Sequence, residues 1–199
     1  IGGAGADILQ GGDGVDTVDY SLSPSGVKLN LQSTSAQIGG DAQGDQLSGF
    51  ENAIGSAYDD TIKGSPYVDS ALFGGDGNDF LQAISSGQEL LSGDDGDDTL
   101  QGSSGDTLDG GAGSDTILVG SSSYSTFVVD LATGASTGGE ILNSIENVTA
   151  NYYGVFTFLG DNGANRFVGG QSADTLVGYA GADTIFGAEG DDFIRGDGG

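Results

Sequence analysis

Gly169-Gly170-Gln171-Ser172-Ala173-Asp174-Thr175-Leu176-Val177 runs directly into Gly178-Tyr179-Ala180-Gly181-Ala182-Asp183-Thr184-Ile185-Phe186, and then into Gly187-Ala188-Glu189-Gly190-Asp191-Asp192-Phe193-Ile194-Arg195. Each nonapeptide opens on glycine or a glycine pair, places aspartate sixth and sets a large apolar residue eighth. A fixed period of this kind marks a stacked repeat architecture. Six residues suit a turn, because glycine accepts positive φ and its missing Cβ lets turns stack closely. The other three suit a strand that shows the sixth and eighth side chains to one face and the seventh to the other. Two nonapeptides then make one coil, and residues 18 apart stack at about 4.8 Å.

Outward from this stretch the pattern recurs, whole or worn. Residues 2–10, 11–19, 74–82, 93–101 and 110–118 keep it, with Asp7, Asp16, Asp79, Asp98 and Asp115 sixth. Residues 55–63 hold it weakly through Asp60, residues 102–109 are one residue short around Asp106, and residues 160–168 put Asn165 in the aspartate's place. Residues 64–73 and 83–91 have lost the motif. Leu9, Val18, Leu81, Leu100, Ile117, Leu176, Ile185 and Ile194 are expected to line a narrow core between two parallel sheets. The aspartate spacings agree with stacking: 19 from Asp79 to Asp98, 17 from Asp98 to Asp115, and 18 from Asn165 to Asp183 and from Asp174 to Asp192.

Two stretches interrupt the repeat and resemble each other. Val27 to Leu31 alternates apolar and polar like a half-buried strand, and Phe127 to Leu131 matches it. Phe50-Glu51-Asn52 likewise matches Ile145-Glu146-Asn147. The chain is predicted to be a tandem duplication: residues 1–100 with an insert at about 19–54, and residues 101–199 with an insert at about 119–159. The fold class that follows is all-β, a parallel β-roll (a right-handed β-solenoid) with two strand-loop-strand inserts.

Composition narrows the chemistry. The 199 residues include 40 glycines, 30 acids and only 4 bases, for a net charge of −26. Uncompensated, those carboxylates repel one another and oppose compaction. Cysteine and histidine are both absent, which removes thiolate and imidazole metal sites and the commonest general base. Carboxylate and carbonyl oxygens remain, the ligand set of calcium. So few cations argue against nucleic acid, whose phosphates need Lys or Arg. No apolar stretch approaches the roughly 18 residues of a membrane span. The chain begins on Ile1 with no visible signal peptide, and we expect it to be a segment of something longer or a processed product.

The nonapeptide resembles the calcium-binding repeat of the RTX family, G-G-x-G-x-D-x-U-x, a pattern given as such in general treatments of sequence repeats. The resemblance implies that one calcium lies between two stacked turns, with an aspartate and turn carbonyls from each. The carboxylate ligands would be Asp7, Asp16, Asp60, Asp79, Asp98, Asp106, Asp115, Asp174, Asp183 and Asp192, with the Asn165 amide in a weaker site. The second and fourth turn positions would supply carbonyls: Gly75 and Gly77, Asp95 and Gly96, Gly111 and Gly113, Gly163, Gly170 and Ser172, Tyr179 and Gly181, and Ala188 and Gly190. Asp7 and Asp16 have no recognisable repeat after them, so they are expected to need a preceding segment.

Blander roles compete for individual residues. A lone aspartate in a glycine-rich turn most often caps backbone, which weighs most on Asp60 and Asp106. Asp41, Asp45, Asp161, Asp191 and Asp197 read as solvated charges, and Glu51 and Glu146 as loop-fixing residues. Tyr152, Tyr153, Phe156 and Phe158 read as packing rather than a sugar-stacking strip. Without histidine there is no Ser-His-Asp set, and nothing singles out a carboxylate pair for glycoside hydrolysis; we expect no enzyme.

The expected function is a calcium-binding segment of a secreted bacterial protein, which the resemblance associates with type I export and folding outside the cell. Two other settings stay open. One is an accessory module of a secreted protease or polysaccharide-modifying enzyme. The other is a unit of a filament, adhesin or surface layer with head-to-tail self-association, since an uncapped solenoid exposes strand edges.

Overall fold

The computed structural model describes residues 2–66, 69–84, 86–120, 126–151 and 153–198. Ile1, residues 121–125, Tyr152, Gly199 and parts of the worn repeats 64–73 and 83–91 lie outside the described residues. Among those described there is one 3-10 turn, Gly40–Ala42, and otherwise strand and loop. No described helix is long and apolar enough to cross a membrane.

Short strands stack into two long sheets, as the nine-residue period predicts. One holds eight strands, all parallel: Lys28–Asn30, Thr61–Lys63, Phe80–Gln82, Thr99–Gln101, Thr116–Val119, Asn147–Ala150, Arg166–Val168 and Thr184–Phe186. The other holds eleven, beginning with Thr17–Asp19, Asn52–Ile54, Ala71–Asp76, Leu90–Asp95 and Thr107–Ala112 and ending with Val155–Leu159, Thr175–Val177 and Phe193–Arg195. The register places Leu100 beside Leu81, and Thr99 beside both Phe80 and Thr116. A coil of 19 residues is thus followed by one of 17, so the long and short repeats cancel.

The eighth-position side chains meet between the sheets. Val18, Leu81, Leu100, Ile117 and Leu176 are buried there with Ile62, Leu72, Leu91 and Val148. Leu9 and Ile185 are only partly covered. Ile194 departs from expectation and is 48 % exposed, because its strand is paired on one side only, with Thr175–Val177. Phe156, Phe158 and Phe167 widen the core beside the second insert, with centroids 5.6 and 5.8 Å apart. Phe156 and Phe158 are therefore packing residues, while Tyr153 is exposed.

The inserts are more elaborate than strand-loop-strand. In the first, Lys28–Asn30 joins the eight-stranded sheet, and Gln46–Ser48 pairs with Ile8–Gln10 as a separate two-stranded sheet. In the second, Thr126–Asp130 pairs antiparallel with Ala135–Ser136, which pairs antiparallel with Ile141–Asn143. The matching segments also exchange faces. Thr17–Asp19 and Asn52–Ile54 lie in the eleven-stranded sheet, whereas Thr116–Val119 and Asn147–Ala150 lie in the eight-stranded one. Across the first insert the chain returns to the same sheet, and from Asn52–Ile54 to Thr116–Val119 consecutive strands alternate sheets over seven steps, so an odd shift reverses the face.

Candidate metal centre

The sixth-position side chain turns inward at the mouth of each strand, where it meets the backbone of neighbouring coils. Along one edge this builds a continuous staircase. Val27 N–H donates to Asp60 Oδ1 at 2.6 Å, Asp60 N–H to Asp79 Oδ1 at 2.7 Å, and Asp79 N–H to Asp98 Oδ1 at 2.7 Å. Asp98 N–H then donates to Asp115 Oδ1 at 2.8 Å and Asp115 N–H to Glu146 Oε2 at 2.9 Å. Asn165 continues it, with Nδ2 donating to the Glu146 carbonyl at 3.1 Å and N–H donating to Asp183 Oδ1 at 3.0 Å. The other edge carries shorter runs, including Glu89 N–H to Asp106 Oδ1 and Asp174 N–H to Asp192 Oδ1, both at 2.9 Å. The stacking spacings read from the sequence are thus the spacings of real contacts.

Four acids outside the motif occupy slots in this scheme. Asp7 N–H donates to Asp45 Oδ1, and Asp16 N–H to Glu51 Oε2, both at 2.8 Å. Asp7 and Asp16, which no recognisable repeat follows, thus meet acids delivered by the first insert. For Asp45 the expectation is corrected: it is fully buried rather than solvated and accepts the Tyr20 hydroxyl at 2.7 Å. Glu51 and Glu146 take equivalent N–H groups, so their loop-fixing role is that of a substitute rung. Glu89 fills the slot in the repeat that had lost its aspartate. The signal for it was local: Glu89 precedes Leu90-Leu91 as Asp98 precedes Thr99-Leu100.

The second carboxylate oxygen separates the rungs into two kinds. Oδ2 of Asp7, Asp16, Asp79, Asp98, Asp115 and Asp183 is buried and accepts no hydrogen bond. In Asp60, Asp106 and Asp174 both oxygens are filled. Asp60 Oδ2 accepts the Ser56 N–H, Asp106 Oδ2 the Ser103 N–H at 2.6 Å, and Asp174 Oδ2 the Gly170 N–H at 2.6 Å. Their Oδ1 atoms take the N–H groups of Val27, Glu89 and Phe156 respectively. Asn165 matches the filled kind, with Oδ1 accepting Asp161 N–H at 3.0 Å.

Burial of these acids has an electrostatic cost. Asp79 is 2 % and Asp98 1 % exposed. Loss of solvation, added to the neighbouring carboxylates, pushes Asp79 up to about 7 and Asp98 up to about 6. Burial likewise raises Asp60, Asp106 (to about 7) and Asp115. An unpaired buried carboxylate is costly unless neutralised or coordinated, and a divalent cation is the direct remedy.

The turns supply what such a cation needs besides carboxylate. Successive turns lie so close that a Cβ at Gly96 would fall on the Gly77 carbonyl oxygen and one at Gly93 would crowd the Gly110 carbonyl oxygen, as well as Asp98 Oδ2 of its own turn. Positive φ at Gly75, Gly77, Gly96, Gly111 and Gly113 shapes this packing. One assignment shifts: the position registered with Gly75 and Gly111 is Asp94, φ 73°, not Asp95. The Asp95 carbonyl instead accepts the Gly77 N–H at 2.8 Å. Gly163, Gly170, Ser172, Tyr179, Gly181, Ala188 and Gly190 occupy the corresponding turns near the other end of the roll. Among the described residues no three acidic side chains gather into one cage; any cation here draws on single carboxylates and carbonyls of stacked turns. Hard oxygen donors with no nitrogen or sulfur fit calcium.

An outer staircase, not visible in the motif, braces the same turns. Asn78 N–H donates to Asp59 Oδ1, Asp97 N–H to Asn78 Oδ1 and Ser114 N–H to Asp97 Oδ1, each at 2.9 Å.

The family model for the RTX calcium-binding nonapeptide repeat (4 copies) matches residues 1–22, 43–66, 69–83, 85–117 and 159–194, more than half of the chain. The unmatched gaps fall within the two inserts and at short worn repeats. Among curated proteins, none matches the chain closely enough to count as a relative.

Proposed function

This chain belongs to the family of RTX calcium-binding nonapeptide-repeat proteins, and from that premise we propose that it is a calcium-gated folding segment of a secreted bacterial protein. The observation that carries the reading is the column of buried, unpartnered Oδ2 atoms at Asp79, Asp98 and Asp115. Those oxygens, with turn carbonyls around them, would hold the ions. Calcium supplies positive charge and oxygen coordination, and the chain supplies spacing, burial and exclusion of water.

Binding and folding are then one event. At low free calcium the net charge of −26 opposes stacking of the turns. In a calcium-rich exterior, ions between neighbouring turns offset that repulsion and the roll closes. A chain that stays open inside the cell suits passage through a narrow export conduit. We read the two halves as tandem copies of one unit, supported by the equivalent roles of Glu51 and Glu146. The segment works as a structural module whose partner is the ion.

Far-UV circular dichroism during a calcium titration, with magnesium as control, tests this. A cooperative gain of β signal with calcium alone is expected. An unchanged spectrum, already β-rich in excess chelator, would overturn the gating.

A further inference from the structure

The two kinds of rung differ at one backbone position. Where Oδ2 is unpartnered, the second residue of the turn has positive φ: Gly75 109° before Asp79, Asp94 73° before Asp98, Gly111 98° before Asp115, Tyr179 68° before Asp183. Where Oδ2 is filled, the second residue is Ser56, Ser103 or Gly170, each with negative φ, and its own N–H is the donor. The sign of φ decides on which side of the turn that N–H lies. Positive φ is unfavourable for residues other than glycine. Its retention at Asp94 and Tyr179 shows that the turn, not the residue type, holds the conformation there.

We propose that this backbone choice sorts the sixth-position acids into calcium rungs and latches. Asp79, Asp98, Asp115 and Asp183 take calcium. Asp60, Asp106 and Asp174 take none, because each is already closed by two backbone N–H donors. The proposal rests on the calcium reading above and narrows it, since the repeat motif alone makes all seven ligands.

Two observations beyond φ support the sorting. Asp60 and Asp174 are the rungs on which the insert strands land, through Val27 and Phe156. A latch at those joints fixes each insert to the roll without an ion. Asn165 is the second observation. It has the latch geometry, with Asp161 N–H closing its oxygen, and it faces a carbonyl rather than an N–H on its other side. At this latch-type turn the slot carries a neutral amide, as a rung that needs no cation allows.

The test counts ions bound at saturation in the full chain, by equilibrium dialysis with calcium analysis, for wild type, Asp98→Asn and Asp174→Asn. Asp98→Asn is expected to lose at least one ion. Asp174→Asn is expected to bind as many as wild type, while its melting temperature in saturating calcium falls because one N–H loses its acceptor. A loss of ions in Asp174→Asn equal to that in Asp98→Asn overturns the sorting but leaves calcium binding intact. No ions in wild type would instead remove the calcium reading itself. Should Asp174→Asn not fold in saturating calcium, Asp106→Asn makes the same comparison. Its latch lies away from the aromatic cluster, and ion loss there is equally decisive.

Discussion

The turns at Asp79, Asp98 and Asp115 and the turns at Phe156 and Asp174 belong to one roll, yet they are held together differently. In the first region close glycine turns leave buried oxygens without donors. In the second, three phenylalanines pack and the chain's own N–H groups fill the carboxylate. The difference teaches that a nine-residue period prescribes where an acid sits, not whether that acid needs an ion. Apolar burial supports both regions; the first depends on charge compensation as well.

Metal removal should separate the two regions most sharply. Amide exchange followed as calcium is withdrawn stepwise is expected to lose protection at Asp79 and Asp98 before Phe158 and Leu176; simultaneous loss in both would erase the distinction. Next in size, Phe158→Ala should cost about 3–5 kcal/mol through the cavity it leaves, measured by denaturant unfolding in saturating calcium. Its effect on the number of bound ions should be nil. Gly93→Ala should cost about 1–3 kcal/mol, because the new Cβ overpacks the Asp98 carboxylate. Gly196→Ala, with open space around it, is the neutral control in the same melts.

Acidity offers a finer contrast. Asp79 and Asp98 rise to about 7 and about 6 from an ordinary 3.8, so the folded, metal-free chain binds more protons than the unfolded one between those limits. Stability without metal is therefore greatest below about pH 4 and is lost as pH climbs toward 7. In calcium the slope should reverse over that range, since protons then compete with the ion. Thermal melts across pH, with and without calcium, check both signs. The smallest expected effect is Asp97→Ala, about 0.5–1 kcal/mol for an exposed hydrogen-bond rung.

Much of this was legible beforehand. The eighth-position residues marked the core, and the 19- and 17-residue spacings marked Asp79, Asp98 and Asp115 as neighbours, because both follow from strict stacking. Asp45, Glu51, Glu89 and Glu146 were harder to see. Loops of irregular length deliver them to the same slots, and contact there depends on three-dimensional closure rather than on count. The split between calcium rungs and latches was hidden for another reason. It turns on the sign of φ at the second position, where Gly170 and Gly111 are the same residue in opposite conformations.

The stacking of coils has a mechanical side. Strand Phe193–Arg195 pairs with Thr175–Val177, 18 residues earlier, and a coil in such a solenoid touches only its neighbours. A pull on one end therefore loads one coil at a time. Each release should lengthen the chain by about 60 Å, at about 3.4 Å per extended residue. The roll would pay out like line from a ratcheted spool, with calcium setting the drag on most teeth and the joints at Asp60 and Asp174 acting as stops.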